Sequence, residues 1–277
     1  MITIILVIVN ILFLLLFLLV LIAPGQSTVQ MRAPFLHRNI AHRGLHTKDK
    51  TIPENSMAAF RTAIKNGYGI EFDIQLTKDE QIVIFHDDTL RRVCGVEGRV
   101  DQYTYQELQR FSLCGTNQKI PLFRDFLALV HGQVPLVVEL KNGRKNNLLC
   151  KKTLEYLNAY KGDYCIESFQ PLIVAWFKRN APGILRGQLS AGPKEFKGDL
   201  KYYQAFALSR LLTNFATRPH FISYHKEKHS WLVKLVDAMG AMKVVWTVRD
   251  NDDIQAIEQR NDTVIFEFYH PGIYFNQ

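Results

Sequence analysis

Several features that would mark a functional class are missing from this chain. It has no run of five or six basic residues and no Arg/Lys repeat along a helix, so the formal net charge of +8 gives little support to a nucleic-acid groove. The four cysteines, Cys94, Cys114, Cys150 and Cys165, show no close Cys-x-x-Cys pairing, and we read them as buried, reduced thiols. No low-complexity break and no useful internal repeat interrupts the chain. With 47% hydrophobic and 22% charged residues, neither a disordered chain nor a many-span membrane protein is expected.

What is present begins with one long apolar run. From Met1 to Ala23 the only strongly polar side chain is Asn10, and the run stops at Pro24-Gly25. As a helix it would be about 34 Å long, enough to cross a hydrocarbon core of about 30 Å. No Lys or Arg precedes it and no clear small-x-small site follows, so residues 1–23 read as an uncleaved transmembrane anchor rather than a cleaved signal peptide. Arg32, Arg38, Arg43, Lys48 and Lys50 come after the span, which predicts a cytoplasmic C-terminal domain of a single-pass cell-membrane protein. A domain held there lies within a screening length of anionic headgroups, a setting that suits the basic net charge.

After a linker at 24–36, residues 37–277 are the size of one large barrel. Apolar β-rich runs alternate with amphipathic segments, the pattern of a parallel α/β sheet. Candidate strands are Asn39–His42, Gly69–Ile74, Ile82–His86, Pro135–Lys141, Tyr164–Ser168, Ile184–Leu189, Phe221–Tyr224, Lys243–Val248 and Thr263–Phe268. That is one more than a closed barrel requires. The second and third are too close for a helical crossover, so one of them is a hairpin arm or a crossover helix is missing. The clearest helix is Ser56–Asn66, with Ala59, Ala63 and Ile64 on one face and Asn55 or Ser56 as N-cap. Between Asp87 and Pro121 the alternation lapses, and we read 88–120 as an insertion over one mouth of the barrel.

The residues able to do chemistry cluster at predicted strand ends. Glu71 and Asp73 stand at i and i+2 on one strand, so both point to the same face. On an inner face two such carboxylates need a positive partner, and a hard divalent cation such as Mg²⁺ or Ca²⁺ suits them. Taken alone, Glu-x-Asp is more often an exposed strand face or a partner for Arg or Lys. Glu139 and Lys141 repeat the spacing, Glu139 as a third oxygen ligand and Lys141 as a phosphate holder; in isolation they make a plain salt bridge. His42 and His86 each close a strand, and two imidazoles flanking a phosphodiester could serve as general base and general acid. Arg43 could clamp phosphate oxygens, and Gly44 would let the backbone turn tightly over the ligand. Asp87 could orient an imidazole, accept a backbone N–H or be a solvated turn residue. Trp246 lies near a strand end, where it could face substrate. His37, His46, His131, His220, His225, His229 and His270 have no comparable setting and read as surface or packing residues.

The order His42-Arg43-Gly44, Pro53-Glu54-Asn55-Ser56, Glu71-Phe72-Asp73, Thr77-Lys78-Asp79, His86-Asp87 and Glu139-Leu140-Lys141, followed by Ser168-Phe169 and Trp246-Thr247-Val248, resembles the glycerophosphodiester phosphodiesterase family. The resemblance covers most of the chain after residue 38. It implies a TIM-type (β/α)8 barrel with a small insertion after the third strand. It also implies divalent-metal-dependent hydrolysis of a glycerophosphodiester to an alcohol and glycerol phosphate. Carried across, it makes Glu71, Asp73 and Glu139 metal ligands, His42 and His86 the acid–base pair, and Arg43 and Lys141 phosphate-holding residues, with Trp246 added as a substrate-binding residue from its strand-end position. Glu54 would bind metal or the glycerol end, or act as a helix-entry cap. The chain departs from the family at Glu80, where a Gly usually follows the Lys-Asp turn, and at Glu267-Phe268-Tyr269-His270-Pro271, which replaces a Thr-Asp-x-Pro pattern. Two rival readings are a lysophospholipase D acting on lysophospholipids at the bilayer and a non-catalytic, headgroup-binding barrel.

Overall fold

The computed structural model describes residues 1–196, 200–227 and 229–276. Its strands are β1 (Arg38–Ala41), β2 (Gly69–Leu76), β3 (Ile82–Ile84), β4 (Leu136–Leu140), β5 (Tyr164–Ser168), β6 (Arg186–Ser190), β7 (Phe221–His225), β8 (Met242–Val248) and β9 (Thr263–Phe266). Eight of them close a parallel ring in the order β1-β2-β4-β5-β6-β7-β8-β9, with β9 pairing back onto β1. The ninth, β3, pairs antiparallel with β2, Ile74 opposite Ile84. The surplus candidate strand is therefore a hairpin arm outside the ring, and the fold is a TIM barrel.

Helices fill the crossovers and extend the N-terminus. In chain order they are α1 (Ile2–Ile22), α2 (Val29–Arg32), α3 (Met57–Lys65), α4 (Arg91–Cys94), α5 (Tyr105–Leu108), α6 (Phe123–Val130), α7 (Asn146–Ala159), α8 (Pro171–Asn180), α9 (Tyr202–Ser209), α10 (Asn214–Thr217), α11 (Trp231–Ala238) and α12 (Ile254–Glu258). Ser56 caps α3, its hydroxyl accepting from the Ala59 N–H at 3.1 Å. Ala59 and Ala63 of that helix are buried, whereas Ile64 is half-buried.

The period-two alternation of the strands sorts the core into two layers. Ile70, Phe72 and Ile74 of β2 and Leu136, Val138 and Leu140 of β4 face outward. There they pack with Phe60 and Phe126 of the surrounding helices. The intervening positions point into the barrel. Its closed end is filled by Phe35, Ile40, Val137, Cys165, Leu185, Phe221, Met242, Val244 and Ile265. Residues 90–122 form short turns of helix around a third cluster that includes Leu90, Val93, Val100, Leu108, Leu113 and Ile120.

Helix α1 is long and apolar enough to cross a membrane, and most of its side chains are exposed. Its C-terminal end is not free. Ile22 and Leu18 pack with Leu211, Leu212 and Val233, Asn214 donates to the Ile22 carbonyl at 2.8 Å, and Arg218 donates to Val20 and Ala23 at 2.7 and 2.8 Å. The 24–36 stretch is likewise fixed to the barrel: the Gly25 N–H donates to the Pro219 carbonyl and Phe35 plugs the closed end. Of the cysteines, Cys150 and Cys165 are buried, whereas Cys94 and Cys114 are only half-buried.

Candidate active site

The open mouth gathers the side chains that follow the apolar plug by two positions on β1, β4, β5, β8 and β9. Register does this directly. Asp73 on β2 pairs with Glu139 on β4, and Glu139 pairs with Glu167 on β5. Since neighbouring inward residues on paired strands lie side by side, Asp73, Glu139 and Glu167 form one carboxylate layer, which Glu71 joins from two residues earlier on β2, opposite Val137; each is 7% exposed or less. Ligand oxygens of Glu71, Asp73 and Glu139 all lie within 4.8 Å of one another.

This density of negative charge is costly without a cation. Burial, then Asp73, Glu139 and Glu167, pushes the Glu71 carboxyl well above its usual range. Burial and then Glu139 do the same to Glu167. Burial also raises Glu139, against the pull of Lys141. Asp73 is the exception. Burial opposes its ionisation, but His86, Lys141, Arg43 and Asn55 together hold it well below the ordinary carboxylate range. Asn55 donates to Asp73 Oδ2 at 2.8 Å, while Asp73 Oδ1 accepts no hydrogen bond. Lys141 Nζ lies 2.8 Å from Glu139 and 3.5 Å from Asp73.

Four carboxylates thus face two permanent cations, Arg43 and Lys141. Ionised, the four would leave a deficit of two charges, the donors are all oxygen, and two of their buried oxygens, Asp73 Oδ1 and Glu167 Oε2, accept no hydrogen bond. The site therefore fits a hard divalent ion.

His42 follows β1 directly. Its Nδ1 is 3.0 Å from Glu267 and its Nε2 is 3.9 Å from Glu71. Glu267 is itself fixed by Arg249, whose Nε donates at 2.7 Å, and His46 Nε2 lies 3.5 Å away. The Glu267 contact makes Nδ1 the protonated nitrogen of neutral His42 and leaves Nε2 facing the carboxylate layer. Burial and then Arg43 lower the His42 pKa to about 4, against the raising effect of Glu267.

His86 reaches the mouth by a different route. β2 extends past the ring, turns at Thr77–Gln81, and β3 returns antiparallel, the Phe85 N–H donating to the Asp73 carbonyl at 2.9 Å. The next residue is therefore delivered beside the acids. Its Nδ1 is 2.6 Å from Asp87, which settles Asp87 as an imidazole-orienting residue. Arg92 donates to Asp87 at 2.6 and 2.9 Å and to both oxygens of Glu54 at 2.7 Å. This ties the 88–120 segment to the site.

Arg43 has a left-handed backbone, φ 54°, which points its N–H at Glu71 Oε2, 3.0 Å away. Its guanidinium bonds Glu54 at 2.7 Å and lies 3.6 Å from Asp73. Glu54 is therefore an arginine partner rather than the helix cap; burial resists its ionisation, but Arg92 and Arg43 bring its pKa down to about 2. Gly44, φ 77°, makes its tight turn against α3: a Cβ there would stand 2.9 Å from Phe60 and 3.0 Å from the Ala59 backbone. The close approach is to protein rather than to ligand.

His42, Arg43, Glu71, His86, Glu139, Glu167, Trp246, Arg249 and Glu267 line one cavity of about 260 Å³, and Lys141 stands beside it on Glu139. Sequence reasoning missed Glu167, Arg249 and the proximity of His46 and His225, which also meet at this mouth. Glu167 had a usable signal, because an acid at the inward parity of a buried strand end is unusual. His46 and Arg249 had none, since only loop geometry brings them to Glu267.

A parallel barrel with its polar residues at the C-terminal mouth of the staves has the layout of a barrel enzyme. Residues 42–269 match the model of the glycerophosphoryl diester phosphodiesterase family, and the chain belongs to that family. It is 33% identical over 154 residues to a lysophospholipase D of Rattus norvegicus, covering 51% of this chain and 47% of that protein. It is 38% identical over 112 residues to a glycerophosphodiester phosphodiesterase of Caldanaerobacter subterraneus, covering 38% and 45%. The chain spans about half the length of the curated relatives it matches. An Oleispira antarctica phosphodiesterase, solved with its product sn-glycerol-3-phosphate, shares the fold with a TM-score of 0.67 at 23% identity, covering 84% of this chain and 94% of that one.

Proposed function

We propose that this protein hydrolyses glycerophosphodiesters to an alcohol and glycerol phosphate, with Glu71, Asp73 and Glu139 holding a divalent metal ion, Mg²⁺ or Ca²⁺. The observation that carries this reading is the carboxylate layer, two charges short of neutrality, beside two oriented imidazoles in one cavity. When bound, the metal supplies charge neutralisation for the phosphate. Arg43 and Lys141 add positive charge to the non-bridging oxygens as the transition state develops.

One imidazole takes a proton from water as the water oxygen bonds to phosphorus. The other gives its proton to the leaving oxygen as the opposite P–O bond breaks. Glu267 and Asp87 accept from Nδ1–H of each ring, so that the base presents a free Nε2 and the acid, as imidazolium, an Nε2–H to the cavity. Arg249 and Arg92 hold those two carboxylates in place. Trp246 forms one wall of the substrate cavity. The anchor at residues 1–23 keeps the barrel at the cell membrane, and the basic residues after the span favour a cytoplasmic barrel; protease accessibility in intact cells would test that side.

The central test is turnover of glycerophosphocholine before chelation, after it, and after adding back Mg²⁺ or Ca²⁺. Loss and recovery of activity are expected. Turnover indifferent to chelator would overturn the metal assignment.

A further inference from the structure

At the closed end of the barrel, far from the carboxylate layer, a group of cations gathers without acidic partners. Lys178 and Arg179 come from the last turn of α8, Arg186 follows the plug residue Leu185 into β6, Arg218 ends α10, and Arg32 ends α2. Arg186 donates to the Arg218 carbonyl at 2.9 Å and Lys178 to the Ala216 carbonyl at 3.0 Å. Arg32 donates to the Ser27 hydroxyl at 2.6 Å and the Gly240 carbonyl at 2.9 Å. Among the described residues, none of these five cations forms an ion pair, whereas the arginines at the mouth all do. Carbonyls spread such charge without cancelling it. Burial therefore brings the Arg186 pKa down to about 10, and burial, then Arg218, Arg186 and Arg179, lowers that of Lys178.

The apolar run measures where this cluster sits. Arg218 donates to the Val20 and Ala23 carbonyls at 2.7 and 2.8 Å, and Asn214 to the Ile22 carbonyl. The guanidinium thus caps the last turn of α1, the negative end of that helix. A helix of this length just spans the hydrocarbon core, so its capped end lies at the depth of the lipid phosphates. The junction has no slack: the Gly25 N–H bonds the Pro219 carbonyl, and a Cβ on Gly25 would stand 2.4 Å from the Arg218 carbonyl oxygen. Phe215, next to Asn214 on α10, leaves its ring exposed at the same level, a placement that suits the interface.

We propose that the cluster of Arg32, Lys178, Arg179, Arg186 and Arg218 binds the phosphate of an anionic diacyl phospholipid of the bilayer, as a docking site separate from the active site. An anionic headgroup supplies the counter-charge the protein lacks, whereas a choline headgroup brings its own ammonium and supplies none. The site rests on the anchor reading of residues 1–23 and needs nothing from the phosphodiesterase chemistry.

The test uses the full chain in non-ionic detergent, titrated with phosphatidylglycerol, phosphatidylcholine or inorganic phosphate. Bound lipid is read by native mass spectrometry and by the melting temperature. Phosphatidylglycerol should bind about tenfold or more tighter than phosphatidylcholine and raise the melting temperature, and inorganic phosphate should do neither. Lys178→Gln/Arg179→Gln should weaken phosphatidylglycerol binding about tenfold and leave glycerophosphocholine turnover within about twofold. Arg124→Gln, which removes an exposed arginine of α6 paired with Asp125, should leave lipid binding unchanged. Equal affinity for the two lipids, undiminished binding by the double variant, or an equal loss in Arg124→Gln would overturn the site. Inorganic phosphate as effective as the lipid would make it a soluble-anion site and overturn the bilayer assignment. A full chain that stays soluble without detergent and associates with no vesicle would bring down the anchor reading, and the docking site with it.

Discussion

The closed end and the open mouth of this barrel are built from the same staves two residues apart, yet they are physical opposites. Ile40 precedes His42, Val137 precedes Glu139, Cys165 precedes Glu167, Val244 precedes Trp246 and Ile265 precedes Glu267. The first member of each pair fills the plug and the second lines the site. Because side chains alternate with period two, one step of two residues keeps the inward direction and changes only depth. Stability and chemistry are thus separated along the barrel axis, so the two ends should respond differently to substitution, pH and metal.

The largest contrast is expected from single-residue truncation. His42→Ala or His86→Ala should lower kcat on the order of 10² to 10⁴, with little change in melting temperature. Near-full turnover by either variant in the presence of metal would break the acid–base assignment. At the closed end the pattern reverses. Phe221→Ala, which empties a fully buried site in the plug, should cost about 3–5 kcal/mol of stability while the folded fraction keeps its kcat. Denaturant unfolding paired with active-site titration separates the two outcomes.

A smaller effect sharpens the comparison through metal. In the unfolded chain Glu71, Glu139 and Glu167 ionise near their ordinary value of 4.5, but in the folded barrel they hold their protons to higher pH. The unfolded state then binds fewer protons, so without metal stability should fall as pH rises above about 4.5. Adding a divalent cation should restore it. Glu167→Gln should raise metal-free stability by roughly 0.5–2 kcal/mol and flatten that slope. Melting curves between pH 5 and 8, with and without chelator, would show it; an unchanged slope in the variant would rule Glu167 out as a contributor.

The smallest effect should appear at the closed end with the opposite sign. His220 is buried there, its Nδ1 accepting from the Arg186 N–H at 3.3 Å. Burial, then Arg186, lowers its pKa from 6.5 to about 3. The unfolded chain takes up a proton first, so this residue removes stability as pH falls from 6.5 towards 3. Replacing it, as in His220→Asn, should shallow the acid limb of the melting profile. An acid limb unchanged in slope would locate the sensitivity elsewhere.

Much of this organisation was legible in the chain itself. All nine candidate strands are present within a few residues, because β-rich runs and flanking turns are local properties. The pairs Glu71/Asp73 and Glu139/Lys141 were readable from spacing alone, since parity along a strand fixes which side chains share a face. What spacing could not supply was neighbourhood. That β3 doubles back, and so carries His86 to the acids from outside the ring, depends on hairpin pairing with β2.

Sequence by itself therefore determined the staves, the apolar N-terminal helix and the acids and histidines at strand ends, because each of these is encoded within a few consecutive residues. Tertiary structure alone decided that Glu167 joins the carboxylate layer, that Glu267 and Arg249 hold His42, that Glu54 serves two arginines, and that the end of α1 docks against Leu211, Asn214 and Arg218. Those contacts join residues tens to hundreds of positions apart, and their register follows from barrel closure, which no local pattern records.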